Sequence, residues 1–332
     1  MSMREYRTLS ESEAADIIAE IKDADIFCHV SPDGDTLGCA LALRAVMEKN
    51  GAHAEIKCCD PVPESLRFLA DGVNVDDKPR EGVVRISVDV SSPEQLGGFS
   101  DIKDTFSLMI DHHERGGVYA DNLVEPDAAA CGEVIFRVVE LLRDRHGFDI
   151  PVEAADYLYA AISSDTGSFR FANTTPDTHM TAARLHSMGA RTVYIAHNLH
   201  AVMMKKQLFA RRCGLEHMQF HCGGRLAVTY ASLTDMEKGG FGASDFSEAD
   251  EMRSVYGVLV GVSLRETKEG VWKASTRSSV DIDCAAVCAA FGGGGHKGAA
   301  GCTITSPTAD GAIKLIADQF ASAIEAYEHG KK

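Results

Sequence analysis

The chain has 332 residues, enough for two domains of ordinary size. Its 45% hydrophobic and 25% charged content, with nine prolines, is globular rather than disordered or collagen-like. Its 33 basic and 49 acidic residues give a net charge of −16, which argues against gripping long nucleic acid through a basic face and leaves open a small anion held through cations.

No run approaches the roughly 18 apolar residues of a membrane span, and the N-terminus has no secretory h-region. The ten cysteines include no CxxC pair, and most lie in apolar runs. The chain therefore reads as a soluble cytoplasmic protein whose thiols are buried as small hydrophobes.

Along the chain, residues 25–30 form a short apolar run that ends in the turn Ser31-Pro32-Asp33-Gly34-Asp35. A helix is expected over 36–49, with Gly51 at its C-terminal cap. Strands are expected at 54–59, 83–90 and 106–110, and helical spacing at 134–142 and 152–162. This alternation predicts an α/β fold with a doubly wound, mostly parallel sheet covered on both faces. Residues 175–210 read as helical and connecting. Beyond them come strands at 225–231, 256–264 and 271–276, helices near 246–254 and over 283–291, a strand at 301–305 and a helix at 311–328. These make a smaller C-terminal α/β domain. The expected division is 1–190, a helical linker 191–214, and 215–332, with a cleft between the domains. Residues 216–332 hold eleven cations and fifteen anions, so most of the negative excess lies earlier in the chain.

The turn His29-Val-Ser-Pro-Asp33-Gly-Asp35 follows the first strand, where open α/β sheets bind ligands. By itself it reads equally well as a metal-binding turn or as an Asx turn capping the next helix. Three further segments favour the metal reading. Asp89 stands near the end of 83–90, Asp111-His112-His113 follows 106–110, and Asp165 follows 157–162. Carboxylates brought into one crevice without a cation would be costly. Acids and imidazoles without thiolate favour manganese or a similar octahedral ion over structural zinc. In the second domain, the four glycines from Gly292 allow backbone N–H groups to approach an anion, with His296, Arg277 and Ser278 close in sequence; the bland alternative is a flexible helix cap.

The order HxxxDxD, Asp89, Asp111-His112-His113 and Asp165-Thr166-Gly167, with Gly293-Gly294-Gly295-His296 near the end, resembles the DHH phosphoesterases and their DHH-associated C-terminal domain over about residues 10–328. The two-domain layout is most similar to the bacterial oligoribonuclease and pAp phosphatase group. The resemblance implies two Mn2+ ions, with Co2+ or Mg2+ as substitutes. His29 and Asp33 would hold the first, Asp35, His112 and Asp165 the second, and Asp89 would bridge them. Asp111 would support the ligands and His113 would face the substrate phosphate. Arg277, Ser278, Gly293, Gly294, Gly295 and His296 would contact substrate. A hydroxide shared by the two metals would attack phosphorus.

Two positions depart from the common pattern: Cys39 stands where a small hydroxyl residue is frequent, and Ser164 where threonine is frequent. The implied function is hydrolysis of short oligoribonucleotides to mononucleotides and dephosphorylation of pAp. The alternatives are a cyclic di-AMP or pApA phosphodiesterase and a non-hydrolytic nucleotide sensor. The expected partners are short RNA, pAp or cyclic dinucleotides, with no long duplex and no membrane, and the apolar connector suits a homodimer. His179, His186, His197, His200, His217 and His221 read as ordinary side chains. Trp272 and Phe169-Arg170-Phe171 read as packing.

Overall fold

The buried stretch Ala24–Phe27, whose one charged member Asp25 pairs with Arg80, forms most of the first strand of a parallel sheet. The computed structural model describes residues 5–114 and 116–330, and the chain divides after Val202 into two compact units. The first unit runs α1 (Glu11–Glu20), β1 (Asp23–Phe27), α2 (Gly34–Lys49), β2 (His53–Lys57), β3 (Val75–Asp76), β4 (Val84–Val88), β5 (Leu108–Asp111), β6 (Asp121–Val124), α3 (Cys131–His146), α4 (Val152–Asp165), α5 (Pro176–Ser187) and α6 (Thr192–His200).

Its six strands are all parallel, in the order β3-β2-β1-β4-β5-β6. The order reverses between β1 and β4, and the crevice outside the strand ends at such a switch point is where this architecture places ligands. The helix α2 is buried along most of its length. Glycine makes this possible at Gly38, where a Cβ would lie 2.5 Å from the Tyr157 carbonyl oxygen of α4. The main core joins α1–α4 to one face of the sheet, while Phe27, Phe99, Phe106 and Tyr119 build a smaller cluster.

The second unit runs α7 (Lys205–Glu216), β7 (Gln219–His221), β8 (Leu226–Ala231), α8 (Leu233–Gly239), α9 (Ala249–Arg253), β9 (Val260–Lys268), β10 (Val271–Ser278), α10 (Cys284–Ala289), β11 (Gly294–His296), β12 (Ala299–Thr305) and α11 (Ala309–Gly330). Its sheet, in the order β11-β12-β10-β9-β8-β7, is antiparallel except between β8 and β9. One face packs on α10 and α11 around Trp272, whose indole N–H donates to the Ser306 carbonyl. Trp272 is therefore core, as expected.

The fold class agrees with the sequence reading, and several boundaries move. The strand expected at 256–264 is β9, four residues later, because Gly257 is left-handed (φ 87°) and ends a turn there. The short elements β3, β6, β7, α8 and β11 carried too little pattern to be expected. Among the described residues no helix is long and apolar enough to cross a membrane, and all ten cysteines are free.

Candidate metal centre

Beyond β1 the chain bends so that His29 faces the switch point. Its backbone N–H donates to the Thr36 hydroxyl, which in turn donates to the Val88 carbonyl, tying this turn to the end of β4. The His29 Nδ1 donates to the Val30 carbonyl at 2.8 Å. That bond fixes the tautomer and turns Nε2 toward Asp33 Oδ1 and Asp89 Oδ2, each 3.5 Å away. Asp33 also caps α2, its Oδ1 accepting from the N–H groups of Asp35 and Thr36. Both readings of this turn thus meet in one residue.

Asp35, the second residue of α2, is fully buried. Its oxygens accept from the backbone N–H groups of Cys131 and Gly132 at 2.7 and 2.9 Å and from the Cys39 thiol at 3.3 Å. Asp35 therefore caps α3, whose own N-cap, Ala130, has no side chain to do so.

Asp89 lies just beyond β4 with φ 57°, an uncommon conformation for a residue with a Cβ, and is 2% exposed. Its Oδ1 is 3.6 Å from His112 Nε2. His112 donates through Nδ1 to the Ala128 carbonyl, which leaves Nε2 3.3 Å from Asp165 Oδ2 and 3.8 Å from Asp35 Oδ2. The buried Asp111 Oδ1 accepts from both following backbone N–H groups and from His113 Nδ1 at 2.8 Å. Asp165 comes from the C-terminal end of α4 rather than from a strand, and Asn173 donates to its carbonyl.

The electrostatics show what this cluster lacks. Burial, with Asp89 and Asp165 nearby, holds the Asp35 carboxyl well above its usual range, and burial lifts Asp89 to about 6. Burial opposes charge on His29 and His112, yet the surrounding carboxylates outweigh it and push both to about 10. His113 is raised mainly by its bond to Asp111. Asp89 Oδ1 and His112 Nε2 are buried with no hydrogen-bond partner, a costly state in a site short of positive charge.

Three groups, His29 with Asp33 and Asp89, Asp35 with His112 and Asp165, and Asp89 with His112 and His113, each bring candidate ligand atoms within 4.8 Å of one another. Asp89 belongs to two of these groups and His112 to two. This donor set of carboxylate oxygens and imidazole nitrogens fits a pair of divalent cations. The sequence reading singled out these ligand candidates but missed the supports Thr36, Cys39 and Asn173. Of these, only the unusual Cys39 gave any signal.

The expected substrate contacts fall in the second unit. Arg277 Nε lies 3.3 Å from Asp250 Oδ2, and the Ser278 hydroxyl donates to the Val280 carbonyl. The glycine run corrects the picture of a flexible cap. Its second half is the edge strand β11, paired with β12, and the Gly293 N–H already donates to the Cys288 carbonyl. Glycine is required at 293 because a Cβ would lie 2.2 Å from the Gly301 carbonyl oxygen. Gly294, Gly295 and His296 remain exposed.

His217, expected to be ordinary, comes together with Cys213 and Asp235. Its Nδ1 bonds the Tyr230 carbonyl and its ring stacks on Tyr230, while the Asp235 carboxylate accepts from Ser232, the N-cap of α8. Phe169 packs against the first core and stacks on His179, and Phe171 is exposed.

Residues 25–162 match the model of the DHH family N-terminal domain, and residues 224–326 that of the DHHA1 domain. The bifunctional oligoribonuclease and PAP phosphatase NrnA of Thermus thermophilus is 31% identical, over 88% of this chain and 87% of its own. In structure, an exopolyphosphatase-related protein from Bacteroides fragilis superposes with a TM-score of 0.83 at 22% identity, covering 96% of each chain. The exonuclease RecJ bound to manganese superposes with a TM-score of 0.52 at 14% identity, over 97% of this chain and 96% of that one.

Proposed function

This chain belongs to the DHH phosphoesterase family and carries its DHHA1 domain, and from that premise we propose that it is a manganese-dependent hydrolase of short oligoribonucleotides and of pAp. The observation that carries the reading is the position of Asp89, strained and buried, its Oδ1 without a hydrogen-bond partner, between the His29–Asp33 group and the His112 group.

His29 and Asp33 would hold one cation and Asp35, His112 and Asp165 the other, with Asp89 shared. Cations bound there supply Lewis acidity toward the phosphoryl oxygens and lower the pKa of water. Cys131, Gly132 and Cys39 keep the Asp35 carboxylate in one orientation, and the Val30 and Ala128 carbonyls keep both imidazoles pointing Nε2 inward. His113 is 42% exposed at its side chain and held by Asp111 through Nδ1, so its Nε2 can carry a proton to the departing oxygen. In the second unit, Arg277, Ser278, Gly293, Gly294, Gly295 and His296 would bind a phosphate of the substrate.

Short substrates are favoured by the net charge of −16 and by the activities for which the Thermus relative is named. The test is a product-resolved hydrolysis panel with Mn2+: pAp, pApA, cyclic di-AMP, a short RNA and a long one, each with an EDTA control. EDTA-sensitive loss of pAp and short RNA, with the long RNA spared, is expected. Preference for cyclic di-AMP would replace the substrate assignment, and absence of turnover on every substrate would overturn the enzyme.

A further inference from the structure

The C-terminal sheet has two unlike faces: α10 and α11 cover one, while on the other α9 covers Gly261 of β9 and leaves the β10 and β11 part more exposed. Val260, Val262 and Leu264 of β9 lie in the core with residues of α10 and α11. Gly261, Ser263 and Arg265, which alternate with them, therefore stand on the opposite face. Across β9 and β10, Arg265 is opposite Lys273, Ser263 opposite Ser275 and Gly261 opposite Arg277. The Ser275 row continues through Gly301 to Gly294, and the Arg277 row through Ala299 to His296. The middle row contains only serine and glycine. Ser263 is buried at its β9 end, and from Ser275 through Gly301 to Gly294 the row is a low, partly exposed floor, with Arg277 and His296 along one side and Arg265 and Lys273 along the other.

The second pair is poorly served by its own protein. Like charges directly opposite each other on antiparallel strands repel. Arg277 has Asp250 beside it, but among the described residues neither Arg265 nor Lys273 has an ion-pair partner. Arg265 is partly buried, and loss of water lowers its pKa below the usual value; it donates one bond, to the Ser275 hydroxyl at 3.2 Å. Ser263, opposite Ser275, is fully buried with its hydroxyl unpartnered. Carboxylates outnumber cations in this chain by 49 to 33, so two adjacent unpaired cations are not explained by a shortage of counter-charges.

We infer that Arg265 and Lys273 form a second anion subsite, which takes the phosphate of the nucleotide ligand next along from the one at Arg277 and His296. This rests on the proposed role of the second unit in binding nucleotide, and extends it from one phosphate to two. Lys273 and Arg277 are four residues apart on one strand, about 13 Å at the rise of a β-strand. Long side chains leaning inward narrow that span to suit two anionic groups on either side of one nucleoside. Arginine offers paired donors to a phosphate and lysine a mobile point charge. The ligand class is a nucleotide with at least two phosphates, since a mononucleotide occupies only one side of the floor.

The test is calorimetric titration of the full chain, in EDTA to keep the ligand intact, with pApA and with AMP. The wild-type protein is expected to prefer pApA. Lys273→Ala and Arg265→Ala should each weaken pApA binding roughly tenfold and leave AMP within about twofold, so that the preference collapses. Arg265→Lys should retain part of it. Lys273 is exposed, so its variant reports even if Arg265→Ala fails to fold. An unchanged preference in Lys273→Ala, or equal losses on both ligands, overturns the subsite. Wild-type protein that hydrolyses pApA with Mn2+ yet binds neither ligand in EDTA overturns the subsite alone. Protein that neither binds nor hydrolyses pApA overturns the function beneath it as well.

Discussion

The sites proposed in the two units would meet anions by opposite means. In the first, carboxylates and imidazoles are crowded into a crevice where Asp35 and Asp89 are 0% and 2% exposed, and they need added positive charge before any phosphate can approach. In the second, the cations are already present on a partly exposed sheet face, and Ser275, Gly301 and Gly294 keep that part of it low. The first arrangement requires rigidity. Asp35 is held by the N-terminus of α3 and each imidazole by a backbone carbonyl. The second requires access, and its side chains are tied down far less. The comparison teaches that substitutions in the first unit should act on cation binding and turnover, and those in the second on substrate affinity.

The largest expected effect is at the shared ligand. Asp89→Asn should lower kcat for pAp a thousandfold or more, roughly the several kcal/mol that metal catalysis supplies, while circular dichroism stays unchanged. Retention of a tenth of wild-type kcat would break the contrast between the units.

Chelation comes next. Cations that bind only the native first unit stabilise it by about 2.7 kcal/mol at one hundred times their dissociation constant. Calorimetry with and without EDTA should therefore show the first unit's transition falling while the second unit's stays in place. A uniform shift of both transitions would contradict the assignment.

Gly293→Val sharpens the comparison from the other side. The new side chain must displace the Gly301 carbonyl, so kcat/KM should fall about tenfold through KM, with the Mn2+ content unaltered. The smallest effect is expected at Cys39. Cys39→Ala removes one donor from Asp35 and should weaken Mn2+ binding by a factor of about five, near the worth of one hydrogen bond. Cys39→Ser should restore it, as read by Mn2+ titration followed by electron paramagnetic resonance.

The same contrast explains what could be read from sequence. The crevice was legible because its acids and histidines sit beside strand ends, at Asp33, Asp89 and Asp111, where local pattern already fixes position. Its supports were not, since the bond from the Cys131 N–H to Asp35 joins residues 96 apart and leaves no local trace. In the second unit Arg277 and His296 stood out by residue type. Their shared row, and the opposition of Arg265 to Lys273, depend on strand register. The edge strand Gly294–His296 was hidden by a glycine run with little strand preference.

The most direct test of the account is the number of Mn2+ ions bound per chain, measured by equilibrium dialysis with elemental analysis on wild-type protein and on Asp89→Ala. Two ions in the wild type, with loss of at least one in the variant, is the predicted result. One ion or none in the wild type, or two retained without Asp89, would contradict the shared two-cation centre.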